Sequence, residues 1–177
     1  MDRARYKFSA EKGFAAVQWM VRQGRPLDIH GALKSCYFAD KSHLNEHLQP
    51  IFGATYRAMK FGPVPLEIYE ILKGESMWLW EANLTATPWV LDGFYIRPNA
   101  NTDPDLSVFG ESELDHLRAG FEKSVSMTFT ARTAATHGRD WQAANGGIMA
   151  YEDMIDPSER SDDYVRFIQE TAPHVRL

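Results

Sequence analysis

The chain is predicted to be mostly α-helical with a small antiparallel β-sheet, an α+β fold of about six or more helices. Three observations carry this. Apolar residues recur at helical spacing in the first 72 residues and again after Gly110. Between those regions, short β-prone runs are broken by Gly, Pro, Asn and Asp. At 177 residues with 44% hydrophobic and 12% aromatic content, the chain can bury one sizeable core. The expected organisation is one domain over residues 1–177, with its core at about 10–155 and a helical tail at 156–177.

Taken in order, Ser9 precedes a helix carrying Phe14, Val17, Met20 and Val21, which the run Gln23–Pro26 ends. Asp28 suits the N-cap of a second helix, and Pro50 stops it. Tyr56–Lys60 reads as a short strand, and Gly62-Pro63-Val64-Pro65 as a turn with little backbone freedom. Pro65 suits the first position of a third helix bearing Ile68, Tyr69, Ile71 and Leu72, closed by Gly74. WVLDGFYIRPN is strand-like and broken at Asp92-Gly93, and DPDLSVFG is a second extended piece; with TYRAMK they suggest one sheet of two or three strands. Gly110 or Ser112 leads a helix with Leu114, Leu117 and Phe121 on one face. A further helix covers Ser126–Ala135 and breaks near His137 and Gly138. A short helix surrounds Trp141, and two helical pieces finish the chain.

The net charge of −5 disfavours a general nucleic-acid surface, which needs clustered Lys and Arg. The single cysteine, Cys36, excludes an internal disulfide and a thiolate cluster. No uncharged run approaches the roughly 18 residues of a spanning helix, and no apolar segment follows the charged start closely enough for a signal peptide. The expected compartment is the cytoplasm.

The second helix raises a chemical question. Ile29, Leu33, Cys36, Tyr37 and Leu44 share a face, and Asp40, His43 and His47 fall within it. One reading is a metal-dependent hydrolase using Asp40, His43 and His47. The histidines are one turn apart, but Leu44, Asn45 and Glu46 lie between them, so the zinc-protease glutamate is missing and Glu46 points off the shared face. The preferred reading is a buried, hydrogen-bonded carboxylate at Asp40, with His43 as a partner and a cation such as Lys60 or a backbone turn completing the set. No GxSxG elbow accompanies His137, and Gly146-Gly147 lacks a phosphate-loop lysine. His137 and Trp141 are expected to pack together. The residues by themselves support no catalytic site, cofactor or metal.

YFADKSH, YRAMKFGPVPLEIYEIL, ESELDHL and ATHGRDWQAA, in that order, resemble the SocA-like antitoxin domain, also called Panacea. The family pattern falls on Tyr37, Ala39, Asp40 and His43, on Lys60, Gly62, Pro63 and Val64, on Ser112 and Glu113, and on Thr136, His137 and Trp141. Leu48 departs from it, standing where a glycine commonly ends the second helix, and Trp78–Phe109 matches only loosely. The resemblance implies a non-enzymatic, cytoplasmic antitoxin of a type II toxin–antitoxin system, which binds and neutralises a toxin encoded beside it. Members of the family occur near phages and mobile elements. It also allows an adaptor role, delivering the toxin to an energy-dependent AAA+ protease.

Overall fold

The computed structural model describes residues 3–177. Its helices begin with α1 (Ala10–Val21) and α2 (Ile29–His47), and the hairpin β1 (Tyr56–Met59) and β2 (Gly62–Pro65) follows. Next come α3 (Leu66–Leu72), α4 (Ser76–Glu81) and a second hairpin, β3 (Trp89–Asp92) and β4 (Tyr95–Pro98). The chain continues as α5 (Glu111–Val125), α6 (Phe129–Ala135), α7 (Arg139–Ala144), α8 (Tyr151–Met154) and α9 (Ser161–Thr171). The α+β reading therefore holds. Among the described residues no helix is long and apolar enough to cross a membrane.

Local chemistry sets the helix ends. Asp28 caps α2, its Oδ1 accepting from the Gly31 N–H at 2.6 Å. At the other end Leu48 takes a left-handed conformation (φ 56°, ψ 30°) and donates its N–H to the Leu44 carbonyl. That is the glycine-favouring backbone for which the chain has substituted a partly buried leucine. At the start of α5 the Gly110 N–H donates to the Glu113 carboxylate at 2.9 Å.

The core gathers α1, α2, α3 and α5 around Val17, Met20, Cys36, Leu44, Ile68 and Leu117. Helices α2 and α5 approach closely at Gly120, where a Cβ would lie 2.7 Å from the Ser35 carbonyl oxygen and 2.8 Å from the Ala39 nitrogen. Across α1 and α5, Lys12 and Glu113 form a buried ion pair at 2.8 Å.

Three expectations need correction. Gly62–Pro65 is strand β2, paired antiparallel with β1 from Tyr56↔Pro65 to Met59↔Gly62, and the turn is Lys60-Phe61. Prolines at alternate positions have no N–H to leave unsatisfied, so extended pairing accommodates them. The other edge of β1 is occupied by residues 147–149, with the Ala58 N–H donating to Gly147 and the Met149 N–H to Tyr56. Second, the strands form two separate hairpins rather than one sheet. Third, Leu106–Val108, within DPDLSVFG, is a 3-10 turn, with the Asp105 side chain accepting from the Ser107 N–H. Helix α4 was not anticipated, since SMWLWE is too short to show a period.

Candidate functional site

Asp40 is fully buried on α2 and accepts three hydrogen bonds. The Ile51 and Phe52 N–H groups donate to Oδ1 at 2.6 and 3.0 Å, and the Tyr56 hydroxyl donates to Oδ2 at 2.9 Å. Burial pushes the carboxyl up to about 6, against the opposing pull of those three donors. Neither His43 nor Lys60 is its partner. Lys60 is exposed at the hairpin tip, its ammonium 5.2 Å from the Phe61 ring centre. Of the two ways of completing the set, cation or backbone turn, it is the backbone of the loop after α2 that does so.

Both nitrogens of His43 are engaged. Nδ1 donates to the Gln49 carbonyl at 2.6 Å, which leaves Nε2 to accept from the Ser112 hydroxyl at 3.2 Å. Burial lowers its proton affinity. Asp40, His43 and His47 thus do not converge, and the hydrolase reading loses its carboxylate. Instead α5 brings His116 beside the pair, with ring centres 5.2 Å from His43 and 5.7 Å from His47. Glu46, expected to point away, lies 3.1 Å from His116 Nε2.

Tyr37 reads a distant segment. Its hydroxyl donates to Asp140 at 2.6 Å, joined there by Lys41 at 3.2 Å and the Trp141 N–H at 3.0 Å. Asp140 is fully buried at the start of α7, which makes these contacts the compensation for its charge. His137 stacks on Trp141 with ring centres 3.8 Å apart and planes 9° apart, and Trp141 Nε1 donates to the Met59 carbonyl at 2.9 Å.

Gly62 sits at φ 106°, open only to glycine, and a Cβ there would lie 2.8 Å from Lys34 Cε and against the Thr136 hydroxyl. Thr136 is buried, its Oγ 3.0 Å from the Arg132 carbonyl. Lys34 is buried and donates to the Pro63 carbonyl at 2.7 Å, while Val64 pairs with Arg57 across the hairpin. Burial, with Arg132 nearby, pushes the Lys34 amine down to about 7. The signature residues 62, 63 and 136 therefore meet around one lysine. Asp140, Lys34 and His116 were not singled out in the sequence; Asp140, two residues into a glycine-capped helix, left the clearest trace.

Beside Lys34 opens an apolar groove of about 840 Å³, lined by α2, both hairpins and the start of α6. Its aromatic rim is exposed: Phe94 81%, Tyr95 50%, Phe61 47% and Phe129 44%. His30 packs on Phe129 at 4.2 Å, donates from Nε2 to the Phe61 carbonyl and accepts at Nδ1 from Arg132. Burial and the neighbouring Lys34 push His30 down to about 4, so the groove holds a neutral imidazole. A second cleft of about 1200 Å³ lies between α1 and residues 173–177, with charged and apolar groups mixed along it.

The molecule thus combines an α-helical body, a signature most of which is buried, and an aromatic-rimmed groove on its surface. Residues 33–142, more than half of the chain, match the family described as Antitoxin SocA-like, Panacea domain, and the protein belongs to that family. No curated protein and no solved structure matches the chain.

Proposed function

We propose that the protein is the antitoxin of a toxin–antitoxin pair and neutralises its toxin by direct binding, without chemistry of its own. Membership of the SocA-like Panacea family, over residues 33–142, carries this reading. The aromatic groove supports it as a candidate contact surface. Exposed contiguous apolar surface of this kind marks interaction sites, and aromatic anchors dominate interface energies. With Lys34 engaged to Pro63, Asp28 paired with Arg132, His30 neutral and Lys60 the exposed charge in its lining, the groove suits an aliphatic or aromatic segment of the toxin.

Co-expression tests the reading. The product of the neighbouring gene should arrest growth alone, be relieved by this chain, and co-purify with it across an interface on the order of 1,200–2,000 Å². Phe94→Asp and Phe129→Asp should abolish rescue; Phe94 is 81% exposed, so its variant should keep soluble yield and melting, while Phe129→Asp, which uncovers His30, is judged beside its own melting. A harmless neighbour, with no partner retained from the native host, would refute the antitoxin role. Rescue by both variants would refute the groove alone. A toxin that persists at full level during rescue favours inhibition, and accelerated toxin turnover would point to delivery to a protease.

A further inference from the structure

The cluster where the end of α2 meets α5 has a chemistry that the antitoxin role does not use. Glu46, His47 and His116 each present a ligand atom, and these atoms lie within 4.8 Å of one another. Glu46 Oε2 is 3.1 Å from His116 Nε2, and Glu46 Oε1 is 3.7 Å from His47 Nε2. We propose that these three side chains form a binding site for a zinc-class divalent transition metal, with the fourth position left to water.

The donor set selects the metal class. Two imidazole nitrogens and one carboxylate oxygen suit zinc, cobalt or nickel, and they disfavour magnesium and calcium, which take oxygen ligands. Ligands at about 2.0–2.2 Å around a tetrahedral ion stand roughly 3.3–3.5 Å from each other. The 3.1 and 3.7 Å contacts come from different oxygens of Glu46, so an ion held by one of them would draw the three ligand atoms in from separations of up to 4.8 Å. His47, 38% exposed in its side chain, has room to rotate and close the widest gap.

The surroundings prepare the imidazoles. Ser42 Oγ lies 3.1 Å from the Ala39 carbonyl and 2.7 Å from His116 Nδ1. When the hydroxyl donates to Ala39, its oxygen accepts from Nδ1–H, and the Nε2 lone pair faces the Glu46 carboxylate. In that tautomer a cation would sit between two acceptors, whereas in the other Ser42 donates to Nδ1 and Nε2–H donates to Glu46 with no ion required. In the first, Ser42 is the outer partner that metal-binding histidines ordinarily have. His43 is itself occupied at both nitrogens, and it packs against His47 at 4.5 Å and edge-on against His116 at 5.2 Å. An ion here would tie α2 to α5 close to their tight contact at Gly120.

The test uses the full chain, stripped with a chelator and titrated with cobalt(II), then with zinc. One cobalt per chain should bind, with the intensified visible absorption of a four-coordinate ion, and zinc should displace it. His47→Gln and Glu46→Gln are surface changes that spare the fold, as circular dichroism would verify, and each should weaken binding at least tenfold. Ser42→Ala should weaken it by about tenfold through the orientation of His116. Binding that is not saturable at one per chain, or that survives both His47→Gln and Glu46→Gln at full affinity, would overturn the site. In the first case the imidazole and carboxylate would simply share a proton.

Discussion

Replacing Asp40 with alanine strips the Ile51 and Phe52 N–H groups and the Tyr56 hydroxyl of their acceptor in a site closed to water. Each orphaned buried donor costs about 1–3 kcal/mol, roughly 3–9 kcal/mol for the three. Against this stands relief of the buried charge. A carboxyl at about 6 rather than the ordinary 3.8 corresponds to about 3 kcal/mol of unfavourable ionisation at neutral pH. The net loss is therefore on the order of 3 kcal/mol, a fall of about 6–12 °C in Tm for a chain of this size. Asp40→Asn keeps one oxygen for the two N–H groups and removes the charge, so it should lose less than about 1 kcal/mol. Acidity provides a second reading of the same carboxyl. Folded Asp40 holds its proton more tightly than unfolded Asp40, so its contribution is fully present below about 4 and lost as pH rises through about 6. Measured by urea denaturation, the wild type should gain on Asp40→Asn as pH falls from 7 to 4. An alanine variant melting within about 2 °C of wild type would refute this account. So would a wild-type-to-asparagine difference that stays flat over that pH range.

Lys60→Met should change stability by no more than about 0.5 kcal/mol, since Lys60 is exposed and away from Asp40. Combined with Asp40→Ala its effect should add; clear non-additivity in a double-mutant cycle would mean the two do meet. Tyr37→Phe removes a hydroxyl from a buried carboxylate and should cost about 1.5–3 kcal/mol by urea denaturation, with an unchanged midpoint counting against the Asp140 link. Gly62→Ala forces a Cβ onto Lys34 and a positive φ onto alanine, so it should lose more than about 1 kcal/mol in thermal melts. A neutral result would show that the hairpin shifts freely.

The elements that announced themselves in the sequence are those with local causes. Helix α2 has a period, a capping Asp28 and a stopping Pro50, and the β3–β4 hairpin turns on Gly93, whose φ is 62°. What stayed hidden depended on packing. Two of the donors to Asp40 are backbone groups, which residue types do not distinguish, so a backbone turn and the Lys60 cation are equal alternatives from the sequence alone. GPVP reads as a turn because proline and glycine punctuate turns, yet here the flanking segments at 56–59 and 147–149 impose extension. His116 joins His47 only through the α2–α5 contact, for which its own segment gives no sign. The groove draws residues from 28 to 129 and so had no contiguous trace.

The bond between Tyr37 and Asp140 spans 103 positions, with a consequence for how the protein is made. At about 5–20 residues per second, synthesis of that interval takes on the order of 5–20 s. Until α5 is made, α2 lacks the partner for its apolar face, and its tyrosine hydroxyl stays unmatched until α7 follows. Closer in sequence, Ile51 and Phe52 reach Asp40 within 12 residues, so the Asp40 end of α2 is fastened early and the Tyr37 end late. A chain released before α7 would keep the first fastening without the second. The half-made chain is thus a distinct species from the finished one, with the Tyr37 end of α2 left open until α7 is made.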